Sequence, residues 1–170
     1  MFVLGCDPGT QGALCLLDTS TNSTRFYETP KSKYLAHSVL TLSSQIALWF
    51  PIIAYTAIED VHSMGGMSAK SNFQFGRNVG LLEACLYSHI DNIEYIQPKV
   101  WQKEVGISFT PKSTPAAKKK ITANIALELY PKAEIFGPKG GLLDGRSDAL
   151  MIAHYLKLTR EVPDVPKTLV

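Results

Sequence analysis

Met1-Phe2-Val3-Leu4-Gly5-Cys6-Asp7-Pro8-Gly9-Thr10-Gln11-Gly12-Ala13-Leu14-Cys15-Leu16-Leu17 holds two apolar runs joined by a tight turn that carries an acid. Residues 2–6 read as a central strand running into Asp7-Pro8-Gly9. Residues 12–17 form a second apolar run, and the short glycine-bearing connection predicts a hairpin. A carboxylate buried at the end of such a run costs several kcal/mol unless it is paired or binds a metal. The pattern recurs. Glu59 closes the apolar run 52–59, and Asp144 and Asp148 open the amphipathic run 144–156. Acids placed this way, far apart in sequence, point to one divalent-metal site assembled by the fold.

Further along the chain, residues 25–29 read as a third strand. Leu35, Val39, Leu42, Ile46 and Trp49 recur at helical spacing over 35–50. Residues 52–59 have the composition of a strand buried on both faces, as in a parallel sheet. Residues 62–72 are loop-like, with Gly65, Gly66, Ser63, Ser68 and Ser71. A helix over 73–89 places Phe75, Val79, Leu82 and Leu86 on one face. A short strand follows at 93–96, then a brief helix from Pro98 to Lys103. A loop over 106–115 precedes a helix over 116–129, which stops before Pro131. The last helix runs over 144–158. The order β-β-β-α-β-α-β-α-α-α predicts an α/β fold with a mixed five-stranded sheet flanked by helices on both faces. Residues 1–160 form one domain in this reading. Residues 161–170, with Pro163 and Pro166, form a loose tail.

Composition narrows the class. A chain of 170 residues with 45% apolar and 19% charged residues matches a single globular domain with a full core. No apolar run reaches the roughly 20 residues of a membrane span. The N-terminus lacks the basic start and cleavage pattern of a signal peptide, so a cytoplasmic location is expected. Cys6, Cys15 and Cys85 are too few and too widely spaced for a disulfide framework or zinc cluster. Net charge is only +2, but Lys99, Lys103, Lys112, Lys118, Lys119 and Lys120 face a single acid, Glu104, between Pro98 and Ile121. That local excess suits phosphates; a solvated helix face is the alternative.

In open α/β sheets, sites form outside the carboxyl ends of strands, where Asp7 and Glu59 stand. Asp144 and Asp148 are four apart and share a helix face. Magnesium or manganese prefers such oxygen ligands. Two ions roughly 4 Å apart clamp the attacking and leaving oxygens of a phosphodiester. Each acid has a plainer alternative. Asp7 serves as a turn residue, Asp144 as a helix cap, and Asp148 as a surface acid. Asp60 competes with Glu59, since adjacent strand residues face opposite ways.

Five blocks resemble the RuvC family of Holliday-junction resolvases, within the RNase H-like superfamily, and the phage-encoded type above all. They are Gly5 to Ala13, Ile58 to Met64, Phe73 to Gly80, Pro98 to Lys103 and Asp144 to Leu150, and the resemblance covers residues 2 to 158. It implies an RNase H-like fold and a homodimer that cuts branched DNA, four-way junctions above all. It also implies Mg2+ or Mn2+, two ions per site, and 5′-phosphate products, with Asp7, Glu59, Asp144 and Asp148 as catalytic acids and metal ligands. A phage-encoded member would act in the cytoplasm of a bacterial host. Many bacterial members place the third acid three positions before the last, where this chain has Gly145; Asp144 lies four before. The family probes the junction centre with the loop after Glu59, which makes His62 and Met64 DNA-binding candidates, with Met67 nearby. Arg77 contacts phosphate or steadies its helix. Lys112, Lys118 and Lys119 are candidate phosphate ligands, Lys118 favoured, with Lys103 a weaker one. Leu82 and Leu86 are candidates for the dimer interface, or else ordinary core.

Three other functions fit parts of the sequence. An RNase H-like nuclease acting on RNA or RNA–DNA hybrids keeps the same acids. Asp7-Pro8-Gly9-Thr10 also resembles the phosphate loop of sugar kinases and actin-like ATPases, but those pair two such domains in a far longer chain. A non-cleaving junction-binding protein would have no need of all four acids.

Overall fold

The computed structural model describes residues 1–29, 35–63 and 66–160. The tail expected over 161–170 and the candidate Met64 fall outside them. Among the described residues five strands form one sheet: β1 (Phe2–Asp7), β2 (Ala13–Asp18), β3 (Thr24–Glu28), β4 (Ile53–Glu59) and β5 (Glu94–Ile96), in the order β3-β2-β1-β4-β5. The first three strands are antiparallel neighbours, whereas β4 pairs in parallel with β1 and with β5. The sheet is therefore mixed, as expected, and β1 lies at its centre.

Among the described residues five α-helices cover it: α1 (Leu35–Trp49), α2 (Ala69–Tyr87), α3 (Pro98–Glu104), α4 (Pro115–Leu129) and α5 (Asp144–Thr159). Period-two alternation along the strands sorts two cores. Val3, Ala13, Cys15, Leu17 and Ala57 pack with α3, α4 and α5. Leu4, Cys6, Leu14, Leu16 and Ile58 face the other way, against Leu42, Ile46 and Trp49 of α1 and Leu82, Cys85 and Leu86 of α2. α5 is buried along nearly its whole length, from Gly145 to Leu156. Its close seat depends on Gly5, where an added Cβ would lie 2.2 Å from the Ala149 carbonyl oxygen.

Two expectations shift. α2 begins four residues earlier than read, because Ser68 caps it: its side chain accepts the Ser71 N–H at 3.1 Å. The serines that resembled a loop are partly the start of the helix. β4 is buried only over Thr56–Ile58, because the three-residue β5 pairs with no more than Ala57–Glu59. No helix among the described residues is long and apolar enough to cross a membrane.

Candidate active site

Asp7 is the last residue of β1, opposite Ala13 of β2. Pro8 ends the ladder because it has no N–H to donate. The Asp7 Oδ1 accepts the Gly9 N–H at 2.9 Å, and the Gly12 N–H bonds the Gly9 carbonyl at 2.9 Å. The turn is too tight for a side chain at Gly12, where a Cβ would lie 2.1 Å from the Asp7 carbonyl oxygen. Asp7 is thus both a turn residue and a carboxylate at the sheet end.

Glu59 ends β4, one residue past Ile58, which pairs with Cys6 of β1. It therefore reaches the same end of the sheet as Asp7. Its Oε1 accepts the Trp101 indole N–H at 2.9 Å. Asp60 instead stands 3.8 Å from the exposed His62 ring. The start of α5 is brought to the same place by a glycine pair. Gly12 and Gly145 form a parallel bridge, and a Cβ on Gly145 would lie 2.1 Å from the Gln11 carbonyl oxygen. This packing explains why position 145 carries no acid. Asp144 lies in the first turn of α5, and Leu143, not Asp144, is the N-cap. The Asp144 Oδ2 is instead held by Lys119 Nζ of α4 at 2.5 Å.

Asp7 and Asp148 lie within reach of each other's charge and of the charges of Glu59 and Asp144. Burial pushes Asp7 up to about 7 against the Gly9 hydrogen bond, with Glu59 and Asp144 adding to the rise. Burial also holds Asp148 well above the usual carboxylate range, reinforced by Asp7, Glu59 and Asp144. Burial raises Glu59 too, and the Trp101 bond offsets part of that rise. Lys119 is raised, first by its bond to Asp144, then by the charges of Asp144, Asp148 and Asp7. Repulsion of this kind on Asp7 and Asp148 marks a site that gains from a cation.

The donor set fits a hard divalent ion: it is all carboxylate oxygen, and Asp7, Glu59 and Asp144 each spend only one oxygen on a protein hydrogen bond or ion pair. A closed cage is not formed. Among the described residues, no three carboxylate, imidazole or thiol groups stand close enough to enclose a metal ion together. Lys119 and Trp101 hold two of the four acids.

The remaining candidates divide. Of the lysines, Lys119 reaches the acids, whereas Lys118 lies 5.3 Å over the Phe109 ring. Lys112, in the loop before α4, Lys103, in α3, and Arg77, in α2, are exposed. His62 is exposed at 77% of its side chain. The expectation that Leu82 and Leu86 face a partner chain is corrected. Both are fully buried against the sheet and α1, which leaves them no surface to offer. Trp101 is the residue that sequence reasoning left without a role. Its apolar ring in a short amphipathic helix signals core, and nothing in its spacing reveals that its N–H meets Glu59.

The sheet order, the helices on both faces and the acids at the strand ends define an RNase H-like α/β fold. Within that class the chain is similar to Thermus thermophilus RuvC, with a TM-score of 0.58 and 15% identity over 91% of this chain and 92% of that one. T. thermophilus RuvC in complex with Holliday junction substrate matches with the same TM-score and coverage at 14% identity. At such identity the likeness establishes the fold, and it does not single out the phage type. No family model and no curated protein matches the sequence.

Proposed function

We propose that this protein is a metal-dependent, structure-selective endonuclease that cleaves branched DNA, with four-way junctions as its foremost substrate. One observation carries the reading. Asp7, Glu59, Asp144 and Asp148 arrive from three separate elements at one end of the sheet, close enough that the charges of Glu59 and Asp144 raise the proton affinity of both Asp7 and Asp148. The fold is similar to one solved on a Holliday junction, which favours branched DNA over other phosphodiesters.

In this reading the four acids hold Mg2+ or Mn2+, which when bound would supply an activated water and neutralise the departing oxygen. Lys119 supplies fixed positive charge to a non-bridging phosphate oxygen of the strand being cut. Its present partner, Asp144, holds the ammonium beside the acids, although the lysine side chain is half exposed. Lys103, Lys112 and Lys118 steer the backbone from nearby surfaces, and His62 contacts the junction from the loop after Glu59. Symmetric scission of a junction requires two active sites, so the reading includes a homodimer whose contact lies elsewhere than Leu82 and Leu86. The spacing of Asp144 and Asp148 favours the phage-type variant, working in a bacterial cytoplasm.

The test is cleavage of labelled four-way junctions, flaps, forks, linear duplexes and RNA–DNA hybrids across Mg2+ and Mn2+ concentrations. Paired nicks in the junction, 5′-phosphate ends and loss of cutting in EDTA are expected. Preference for the linear hybrid would replace branched DNA as the substrate. Specific junction binding with no cleavage in either metal would defeat the nuclease reading.

A further inference from the structure

Trp101 has only 1% of its surface exposed, and its indole nitrogen is its one side-chain polar atom. A buried indole N–H needs an acceptor. A backbone carbonyl would serve at no cost in buried charge. Here the acceptor is a carboxylate of the candidate site, Glu59 Oε1, at 2.9 Å. Both ends of this bond are fixed to the same framework. Glu59 pairs with Ile96 of β5, and the Asp60 N–H bonds the Ile96 carbonyl at 2.8 Å. α3 starts only two residues later, at Pro98, and Trp101 packs into the core that contains α5. α5 carries Asp144 and Asp148, so Trp101 touches one acid and braces the helix that bears two others.

We propose that the Trp101 indole N–H is a positioning group that fixes Glu59 as a one-oxygen ligand. Oε1 is committed to the indole, and among the described residues Oε2 is the oxygen left without a hydrogen bond. The carboxylate then neither rotates nor offers both oxygens to one ion. This rests on the metal-binding reading of the acids given above. Phenylalanine would preserve most of the ring packing and remove only the donor.

The test uses the full chain. Wild-type protein and Trp101→Phe are titrated with Mn2+ by calorimetry without DNA, and junction cleavage is followed over the same Mn2+ range. Groups that orient a metal ligand are worth about 10–100-fold in affinity or activity, and a loss of that size is expected in Trp101→Phe. The cleavage curve should move to higher Mn2+ by a similar factor, with junction binding in EDTA unchanged. Equal Mn2+ affinity in the two proteins overturns the proposal, as does wild-type protein with no Mn2+ affinity.

If Trp101→Phe does not fold, 15N-labelled Trp49→Phe protein leaves Trp101 as the sole indole, since Trp49 is the only other tryptophan and lies in the opposite core. Its N–H resonance should shift on Mg2+ titration, and again in Glu59→Gln without cation. A resonance unmoved by both overturns the proposal. Wild-type protein that binds Mn2+ but cuts no DNA would sink the nuclease reading alone, because the affinity comparison still decides the role of the indole.

Discussion

Replacing Asp7 with asparagine should inactivate the protein and stabilise it at the same time. Asp7 titrates at about 7 in the folded chain, against 3.8 for a free side chain. An acid whose folded value is raised binds its proton more tightly when folded. Its ionisation therefore costs nothing below about pH 4, a growing amount between about 4 and 7, and the full amount above 7. The distance from 3.8 to about 7 corresponds to at most about 4 kcal/mol. The amide of Asp7→Asn would keep an oxygen for the Gly9 N–H and shed the charge that Asp148, Glu59 and Asp144 oppose. Half of that limit, about 2 kcal/mol, raises Tm by about 4–8 °C in a chain of this size. The assay is thermal unfolding of both proteins in EDTA at pH 4, 6 and 8, followed by the same series with Mn2+. The variant's advantage should be absent at pH 4, partial at pH 6 and complete at pH 8. Mn2+ should stabilise the wild type and leave the variant nearly unchanged. Junction cleavage should fall to about 1% of wild type or lower, the scale of losing one charge-stabilising group. A variant that melts below the wild type at pH 8 in EDTA would refute the claim that these acids repel one another across a shared site.

Lys119→Ala should reduce cleavage by about 10–100-fold while changing stability by less than about 1 kcal/mol, because an ion pair this exposed adds little to folding. Lys118→Ala, measured beside it, should retain most of the rate. Gly145→Ala forces a Cβ against the Gln11 carbonyl and should cost about 1–3 kcal/mol, read as a drop in urea midpoint. An unchanged midpoint would mean that α5 is not seated on the β1–β2 turn as described. His154 is buried beside the Tyr130 hydroxyl at 2.8 Å, and burial lowers its pKa from 6.5 to about 4. The unfolded chain takes up that proton first, so stability should be complete above about pH 6.5 and fall by up to about 3 kcal/mol as pH drops toward 4. Denaturant melts of His154→Gln should show a shallower decline than wild type over that window.

The amino-acid sequence by itself determined the strands, the order of the helices and the acids at their ends. Apolar alternation and helical spacing are local properties, legible over a few residues wherever an element packs one face. A carboxylate closing an apolar run is equally local, so Asp7 and Glu59 stand out from their own neighbours in sequence. Only the tertiary structure decided what each face meets. Lys118 and Lys119 are neighbours in sequence but about 100° apart around α4, and the seating of that helix on α5 picks Lys119 for Asp144. Leu82 and Leu86 carry the same apolar signal whether they face a sheet or a second chain, and the packing of α2 on α1 and the sheet assigned them to the core. Trp101 and Glu59 are 42 residues apart. Their bond exists because β5 pairs with β4 and α3 follows at once, a distance that no periodicity encodes.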